Sequence, residues 1–410
     1  MLRSDYAVAW LVRPHYAKAG NGRQSVGLSI MLRTYFVQQW FKTVSNHERN
    51  AVTTSQPGLR KLSELIAAAT RIPLAHLPTP LETLPRLSAE LGGPRLLVKR
   101  DDCTGLGVGG NKIRKLEFVM AAALAEGADC VVCGGVPQSN TSRQVAAVCA
   151  KLGLECHLGV MYGRVSNVEP EYEVSGNLLL SRLFGATIHK IPWSEDRNTH
   201  LESIRDGLTR EGRKPFLVPY GASNPVGAMG YAAMVVELLD QCAAMGISPN
   251  FIVHASGSGG TQAGITAGLT VLDWPMRCIG IDIDAQAERV KADARRIGRE
   301  AACQLGAESN WNDGLVEVVA GFAGPGYGIP DPPTLEAIRM AARLEGLLLD
   351  PVYSGKGMRG LIGLIRAGRF SSDDTVVWLH TGGLPGLFAY PAAMDRAAMT
   401  DVRKAARILG

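Results

Sequence analysis

The chain has 410 residues, 46% apolar and 20% charged, enough for two modest domains or one large one with an insertion, in the proportions of a globular protein. Its net charge of +5 sits in residues 1–50, where seven Lys and Arg face only Asp5 and Glu48; the other 360 residues hold 36 basic and 36 acidic side chains. A body without net charge or a basic stripe excludes the electrostatic footprint of a nucleic-acid binder or a polybasic membrane protein.

The first seventy residues are acidic-poor, carry scattered arginines and hold the aromatic patch 35-YFVQQWF-41. That composition reads as an organellar transit peptide, or as a start placed too far upstream with Met31 or a later site as the true beginning. Residues 1–70 are therefore set apart as an extension. No small-residue cleavage site of a signal peptide precedes the body, and the eight cysteines lie scattered in apolar contexts. Both point to reduced thiols in the cytoplasm, or in the mitochondrion if the extension is a transit peptide.

From 72-IPLAHLPTPLETLPRLSAELGG-93 the text becomes regular, with a proline-punctuated entry and an amphipathic helix stopped at Gly92-Gly93. Short β-branched runs follow: 96-LLVKR-100, 130-CVVC-133, 155-ECHLGVM-161, 188-IHKIP-192, 216-FLVPY-220, 251-FIVHA-255, 278-CIGIDI-283 and 375-TVVWLH-380. Helical patterns separate them at 113–125, 141–152, 226–244, 261–271 and 334–345. Strands alternating with helices imply βαβ units, right-handed crossovers and a parallel sheet covered on both faces, so the fold class is α/β, doubly wound. Cys130 and Cys133 form a C-x-x-C with no second pair at zinc spacing, and read as a buried strand; no metal is expected. Gln241 to Leu272 carries no charge, but its proline, its polar residues and its six glycines make a lipid-spanning helix unacceptable.

Two glycine clusters stand where strands feed helices, 105-GLGVGGNK-112 and 256-SGSGGTQAG-264. Backbone amides and the helix dipole make such junctions anion cradles. The dinucleotide fingerprint fails at Gln262, and a Walker loop ending at Lys112 fails at Asn111 and Ile113. A smaller phosphate ligand remains, for which Ser258 and Thr261 offer hydroxyls beside the amides of Gly259 and Gly260, although the cluster alone reads first as a tight structural turn. By itself Lys112 reads as a solvated basic helix turn.

In order along the chain, 109-GGNKIRKLEF-118, 138-QSNTSRQVAA-147, 256-SGSGGTQAG-264, 326-GYGIP-330, 350-DPVYSGKGM-358 and 380-HTGGLPGLFAY-390 resemble the pyridoxal-phosphate enzymes of the D-cysteine desulfhydrase and 1-aminocyclopropane-1-carboxylate deaminase family. The resemblance covers roughly residues 72–392. It implies the tryptophan synthase β fold (fold type II), with mostly parallel sheets in two domains. The catalytic region would span 71–400, with a smaller α/β domain inserted at roughly 115–225.

The resemblance also implies roles. Lys112 would be the amine that condenses with pyridoxal 5'-phosphate, activated by a crowded apolar site. Lys115, Ser258, Gly259, Gly260 and Thr261 would hold the phosphate, Asn111 and Asn140 would touch the cofactor, and Thr381 would lie near its pyridine nitrogen. Gln138, Ser139, Asn140 and Ser354 would meet the substrate, with Ser139, Tyr353 and Tyr327 in the chemistry. The deaminase branch has glutamate after the tyrosine of D-P-V-Y and leucine before Gly-Gly. Ser354 and Thr381 stand there in this chain, as hydroxyl residues do in the desulfhydrase branch. The implied reaction is β-elimination from a small amino acid, D-cysteine giving pyruvate, hydrogen sulfide and ammonia. L-cysteate sulfo-lyase and cyclopropane deaminase are the alternatives within the family, and a non-catalytic binder of a small phosphorylated metabolite the alternative outside it. Pro137 and Thr141-Ser142 depart from the family's usual residues around the substrate motif. Relatives are usually homodimers, which sets the expected assembly.

Overall fold

The computed structural model of the chain describes residues 57–166 and 168–394; the segment read as a transit peptide or misplaced start lies outside them up to residue 56. In chain order the helices are α1 (Pro57–Ala68), α2 (Pro85–Leu91), α3 (Lys112–Ala125), α4 (Asn140–Leu152), α5 (Gly176–Leu183), α6 (Arg197–Arg210), α7 (Pro225–Ala244), α8 (Gly260–Leu272), α9 (Ala287–Gln304), α10 (Pro332–Glu345), α11 (Ser354–Arg366) and α12 (Leu384–Leu387). The strands are β1 (Leu81–Thr83), β2 (Arg95–Lys99), β3 (Cys130–Gly135), β4 (Glu155–Tyr162), β5 (Thr187–Pro192), β6 (Pro215–Leu217), β7 (Phe251–Ser256), β8 (Arg277–Asp282), β9 (Glu317–Val319) and β10 (Thr375–Leu379).

They build two sheets. The larger has the order β1-β2-β10-β7-β8-β9 and is parallel except for β1; the smaller, β5-β4-β3-β6, is parallel throughout. All four strands of the smaller sheet lie between β2 and β7 in sequence. The α/β reading is correct.

Strand periodicity sorts the core. Leu96, Val98, Val253, Ile279, Val376 and Trp378 face one side of the large sheet, packing on Met358, Leu361 and Ile362 of α11 and Ile338 of α10. Their neighbours Leu97, Ile252, Cys278, Val377 and Leu379 face the other, against Tyr231, Val235 and Leu238 of α7 and Ile265 of α8. With both faces covered, these strands read as unbroken apolar runs. In the small sheet, Val131, Cys133, Leu158 and Val160 pack on Ile113 and Leu116 of α3 and on Val145 and Val148 of α4. Cys130 and Cys133 are both buried in β3, where burial pushes their thiols up to about 12.

Some boundaries move. Leu59, Leu62 and Ile66 of α1 are buried in the core, so the folded body includes residues on the N-terminal side of the boundary expected at residue 70. The strand read at 216–220 stops at Leu217, because Pro219 turns the chain into a short 3-10 segment at Tyr220–Ala222. Among the described residues, no helix is long and apolar enough to cross a membrane, and no group of three or more His, Cys, Asp or Glu is placed to hold a metal.

Beneath the sheet edge lies a buried charge network. Arg114 forks onto Asp101 (2.9 and 2.8 Å) and Glu237 (3.0 and 2.9 Å), Lys99 reaches Glu237 at 2.5 Å, and the Tyr231 hydroxyl donates to Asp101 at 2.7 Å. Burial pushes the Glu237 carboxyl up, but Arg114 and Lys99 outweigh it and hold the group at about 2. This network anchors α3 two residues after its first residue, Lys112.

Candidate active site

A cleft opens at the carboxyl ends of the parallel strands of both sheets, where ligands sit in open α/β folds. Its wall is built from the loops that follow β3, β4, β7, β8 and β10, with Lys112 at the first residue of α3.

The loop before Lys112 is pinned from three sides. The buried guanidinium of Arg143 donates to the carbonyls of Gly107 and Gly109, the latter at 2.9 Å. Thr104 Oγ1 receives the Gly110 N–H at 2.7 Å, and the Thr381 carbonyl receives that of Asn111 at 3.0 Å. Lys112 is half-buried and faces the cleft, and among the described residues its amine has no hydrogen-bond partner or counter-ion. Desolvation pushes its pKa down to about 8, so about a tenth is the free amine at pH 7, against far less than a hundredth for an ordinary lysine.

The β7–α8 loop forms a cup. Gly259 caps α8 at φ 72, and a Cβ there would lie 2.9 Å from Ala294 N and 3.1 Å from Val290 O, so only glycine fits. Ser258 Oγ bonds Ser223 Oγ at 2.8 Å, and Asn111 Nδ2 donates to Thr261 Oγ1 at 3.0 Å, joining the cup to the Lys112 turn. Lys115 stands behind the cup: its buried amine donates to Gly221 O and Ser223 Oγ, both at 3.0 Å.

On the opposite wall Ser139 caps α4, its Oγ accepting from Ser142 N at 3.2 Å. The adjacent Asn140 Oδ1 is buried without a partner. The hydroxyls of Tyr327 and Tyr353 are hydrogen-bonded to each other, with ring centroids 5.8 Å apart and edge-on. Burial raises both phenols well above their usual range, so both keep their protons. Two supports place them. Asp350 receives the N–H groups of Val352, Tyr353 and Ser354, and Lys356 Nζ donates to the Gly326 carbonyl at 2.5 Å. Gly383 is obligatory beside this turn, since a Cβ at its φ of 112 would lie 2.1 Å from Asp350 Oδ1.

Lys112, Asn111, Ser139, Asn140, Ser258, Gly259, Thr261, Tyr327, Tyr353 and Thr381 all line one cleft. Gly260 is buried in the cup as the first residue of α8. Gln138 and Ser354 are not brought to the cleft surface. The Gln138 amide donates to the carbonyls of Tyr172 (2.6 Å) and Ser175 (3.1 Å) and receives Asn177 N at 2.9 Å. Ser354 is fully buried and donates to Asp350 Oδ1 at 2.5 Å. Both brace loops that carry other residues of the site.

Sequence reasoning did not single out Arg164, Trp193, Arg197, Tyr220 and Asp284, all of which line the cleft. Arg164 Nη2 contacts both oxygens of Asp284 (2.7 and 2.6 Å), and its guanidinium lies 3.8 Å from the Tyr327 ring centroid and 4.6 Å from that of Trp193. Arg197 stacks on Tyr220 at 4.4 Å. Four of these five lie within three residues after the end of a parallel strand, a positional signal the sequence did carry.

Residues 72–382 match the family described as pyridoxal-phosphate dependent enzyme. The chain is 40% identical to D-cysteine desulfhydrase of Salmonella choleraesuis over 325 residues, covering 78% of this chain and 96% of that protein. It is 42% identical to 1-aminocyclopropane-1-carboxylate deaminase of Burkholderia vietnamiensis over the same length and coverage. Among solved structures, a homologue of that deaminase superposes with a TM-score of 0.75 at 34% identity, covering 82% of this chain and 99% of its own.

Proposed function

Since the chain belongs to the pyridoxal-phosphate dependent enzymes, as a lyase of fold type II, we propose that it catalyses β-elimination from a small amino acid, with D-cysteine as the substrate. Overall identity does not separate the desulfhydrase and deaminase branches, because both stand near 40%. What favours elimination from D-cysteine is the position after Tyr353. There a buried serine closes on Asp350 where the deaminases have a carboxylate. Among the described residues, the one carboxylate lining the cleft, Asp284, is taken up by Arg164.

The residues present fit the cofactor. A partnerless amine at Lys112, an orphaned buried Asn140 Oδ1 and a glycine cup at Gly259 and Gly260 stand in one cleft. Lys112 would bind the cofactor's aldehyde carbon, and the amides of Gly259, Gly260 and Thr261 with the Ser258 hydroxyl would hold its phosphate. Lys115 would add charge from behind the cup, Asn111 would brace it, Asn140 would meet the ring oxygen, and the neutral Thr381 hydroxyl would face the ring nitrogen. When bound, pyridoxal phosphate supplies an electron sink conjugated to the substrate Cα.

The chain does the rest. The N-terminus of α4, with Ser139 and Asn140, receives the substrate carboxylate. Lys112, with its lowered pKa, takes the Cα proton onto Nζ. Tyr353, kept protonated and oriented by Tyr327 and Asp350, stands as proton donor or positioning group on the substrate side. Sulfide leaves, and water converts the remaining enamine to pyruvate and ammonia.

The test is spectroscopic and chemical. The purified protein should carry a visible band that borohydride abolishes and Lys112→Ala lacks. With D-cysteine it should release sulfide and pyruvate, and with the cyclopropane acid no 2-oxobutanoate. A colourless protein would favour the phosphometabolite-binding alternative.

We further propose a cytoplasmic homodimer. Eight free cysteines, six of them buried, suit a reducing compartment. Leu183 (75% exposed), Leu179 and Phe388 (63%) lie on α5 and the adjoining turn, where Ser175 Oγ bonds the Phe388 carbonyl. They offer an apolar face for a second copy. Sedimentation of the wild type against Leu183→Glu tests it.

A further inference from the structure

We infer that Arg164 is a positioning residue for the tyrosine pair: joined to Asp284, it ties the small sheet to the large one and holds Tyr327, and through it Tyr353, on the substrate side. The inference rests on the β-elimination reading of the same cleft.

The connection follows from where the two charges stand in the fold. Arg164 lies two residues beyond the end of β4, in the small sheet, and Asp284 two residues beyond the end of β8, in the large one. Their contact to both carboxylate oxygens, at 2.7 and 2.6 Å, therefore bridges the carboxyl ends of the two sheets. Each partner is seated. The Asp282 carboxylate accepts the N–H groups of Asp284 (3.0 Å) and Gln286 (2.9 Å), which fixes the turn after β8. On the other side the Tyr162 carbonyl receives the Trp193 N–H at 2.7 Å, which keeps the indole beside the Arg164 guanidinium.

What this bridge holds is the turn that carries Tyr327. The Arg164 guanidinium covers the Tyr327 ring, 3.8 Å from its centroid. The next residue, Val165, packs on the backbone directly after the tyrosine: a Cβ on Gly328, at its φ of 69, would lie 3.0 Å from Val165 Cγ2. Met161, Val165 and Ile191, from the small sheet and the turn after β4, join Ile283, Tyr327 and Val352 from the large-sheet side in one apolar cluster. The Tyr327 hydroxyl is bonded to that of Tyr353, so a shift of the first ring is passed to the second.

Stability alone does not account for the pair. Arg164 and Asp284 keep 18% and 10% of their side-chain surface, and an ion pair so far desolvated adds little net stability. What it does is select one arrangement of the groups around it. Nor is Arg164 a free receptor for a substrate anion, since Asp284 already neutralises it. Its influence on the reaction runs through Tyr327.

The test compares Arg164→Met, Arg164→Lys, Asp284→Asn and the double variant Arg164→Met with Asp284→Asn against the wild-type holoenzyme. With D-cysteine, Arg164→Met and Asp284→Asn should each lower kcat about tenfold while KM stays within about twofold. Arg164→Lys should recover part of the loss, and the double variant should be no worse than either single one. A raised KM at unchanged kcat in Arg164→Met, with a lowered KM in Asp284→Asn, would mean that the arginine reads the substrate directly, and would overturn the inference. Hydrogen exchange of the apo-protein reads the positioning apart from catalysis. The amides of 326–329 should exchange about tenfold faster in both single variants, while those of β3 and β7 keep wild-type rates. Faster exchange throughout both sheets would make the pair a plain structural tie and overturn the positioning role. Unchanged kcat, or unchanged exchange at 326–329, would remove that role and leave β-elimination intact. A wild type inert towards D-cysteine, with local exchange responding as described, would sink the elimination reading and sustain the tie between Arg164 and Tyr327.

Discussion

Asp350 fixes Tyr353 through the backbone: its Oδ2 accepts the Tyr353 N–H at 2.8 Å, while the same carboxylate takes three further bonds from Val352 and Ser354. Replacing Asp350 with alanine strands these donors in a buried turn. We expect Asp350→Ala to cost about 3 kcal/mol of stability and to lower kcat more than it raises KM. Asp350→Asn should keep part of both. Denaturant melts and steady-state kinetics on the two variants check this.

Lys112 governs how the apo-protein responds to alkali. Its amine titrates near 8 in the folded chain and near 10.4 when unfolded, so between those values the unfolded chain binds more protons. Stability therefore rises with pH across that window and is lowest below pH 8. With cleft water screening part of the effect, Lys112→Met should stabilise the apo-protein at pH 7 by about 2 kcal/mol and flatten the slope. Chemical denaturation at pH 7 and pH 10 reads both.

The Arg114 network stabilises the fold where the unpaired Lys112 cation destabilises it, although stability again rises with pH. With Glu237 held at about 2 by Arg114 and Lys99, its contribution is fully present above pH 4.5 and is lost as pH falls towards 2. Arg114→Met leaves Asp101 and Glu237 short of their principal cation and should cost roughly 3–5 kcal/mol. It should also weaken cofactor retention, because α3 carries both Arg114 and Lys112. Acid melts and cofactor content after gel filtration are the measurements.

Gly259→Ala places a methyl group against the backbone of α9 at a positive φ. We expect at least a tenfold loss in cofactor affinity by equilibrium dialysis and a destabilisation of about 1–2 kcal/mol. Thr261→Ser, which keeps the hydroxyl that receives Asn111 Nδ2, should change little.

Ser354→Glu tests whether one substitution can move the chain between branches. Ser354 has no exposed surface and touches Asp350, so a glutamate there would bury a second carboxylate beside the first. The expected outcome is a loss of roughly 3–5 kcal/mol with no 2-oxobutanoate from the cyclopropane acid. Thermal melts and a product assay decide it.

Of the ten strands among the described residues, eight were legible, six because strands buried on both faces read as plain apolar runs, and the half-exposed β5 and three-residue β6 through the runs 188-IHKIP-192 and 216-FLVPY-220. The three-residue β1 and β9 were not, being too short and half-exposed to leave a pattern. Motif order located Lys112 and the glycine cup. It could not say which way a side chain turns inside a motif, and so Gln138 and Ser354, counted with the substrate residues, point into loop braces instead. Arg164 and Arg197 escaped notice for another reason. Each is one arginine among many in polar text, and only the ends of β4 and β5 bring Arg164 and Trp193 to the same wall as Tyr327.

The interior strand of the large sheet, β10, is the last to be made. Its neighbours β2 and β7 are some 280 and 120 residues older on the chain, whereas every pairing in the small sheet closes within residues 130–217. During synthesis the small sheet can therefore form while the large one waits, its β2 and β7 edges unpaired, until Leu379 has left the ribosome. A message cut short before Thr375 would yield a half-built protein with two sticky strand edges, a natural client for chaperones and proteases.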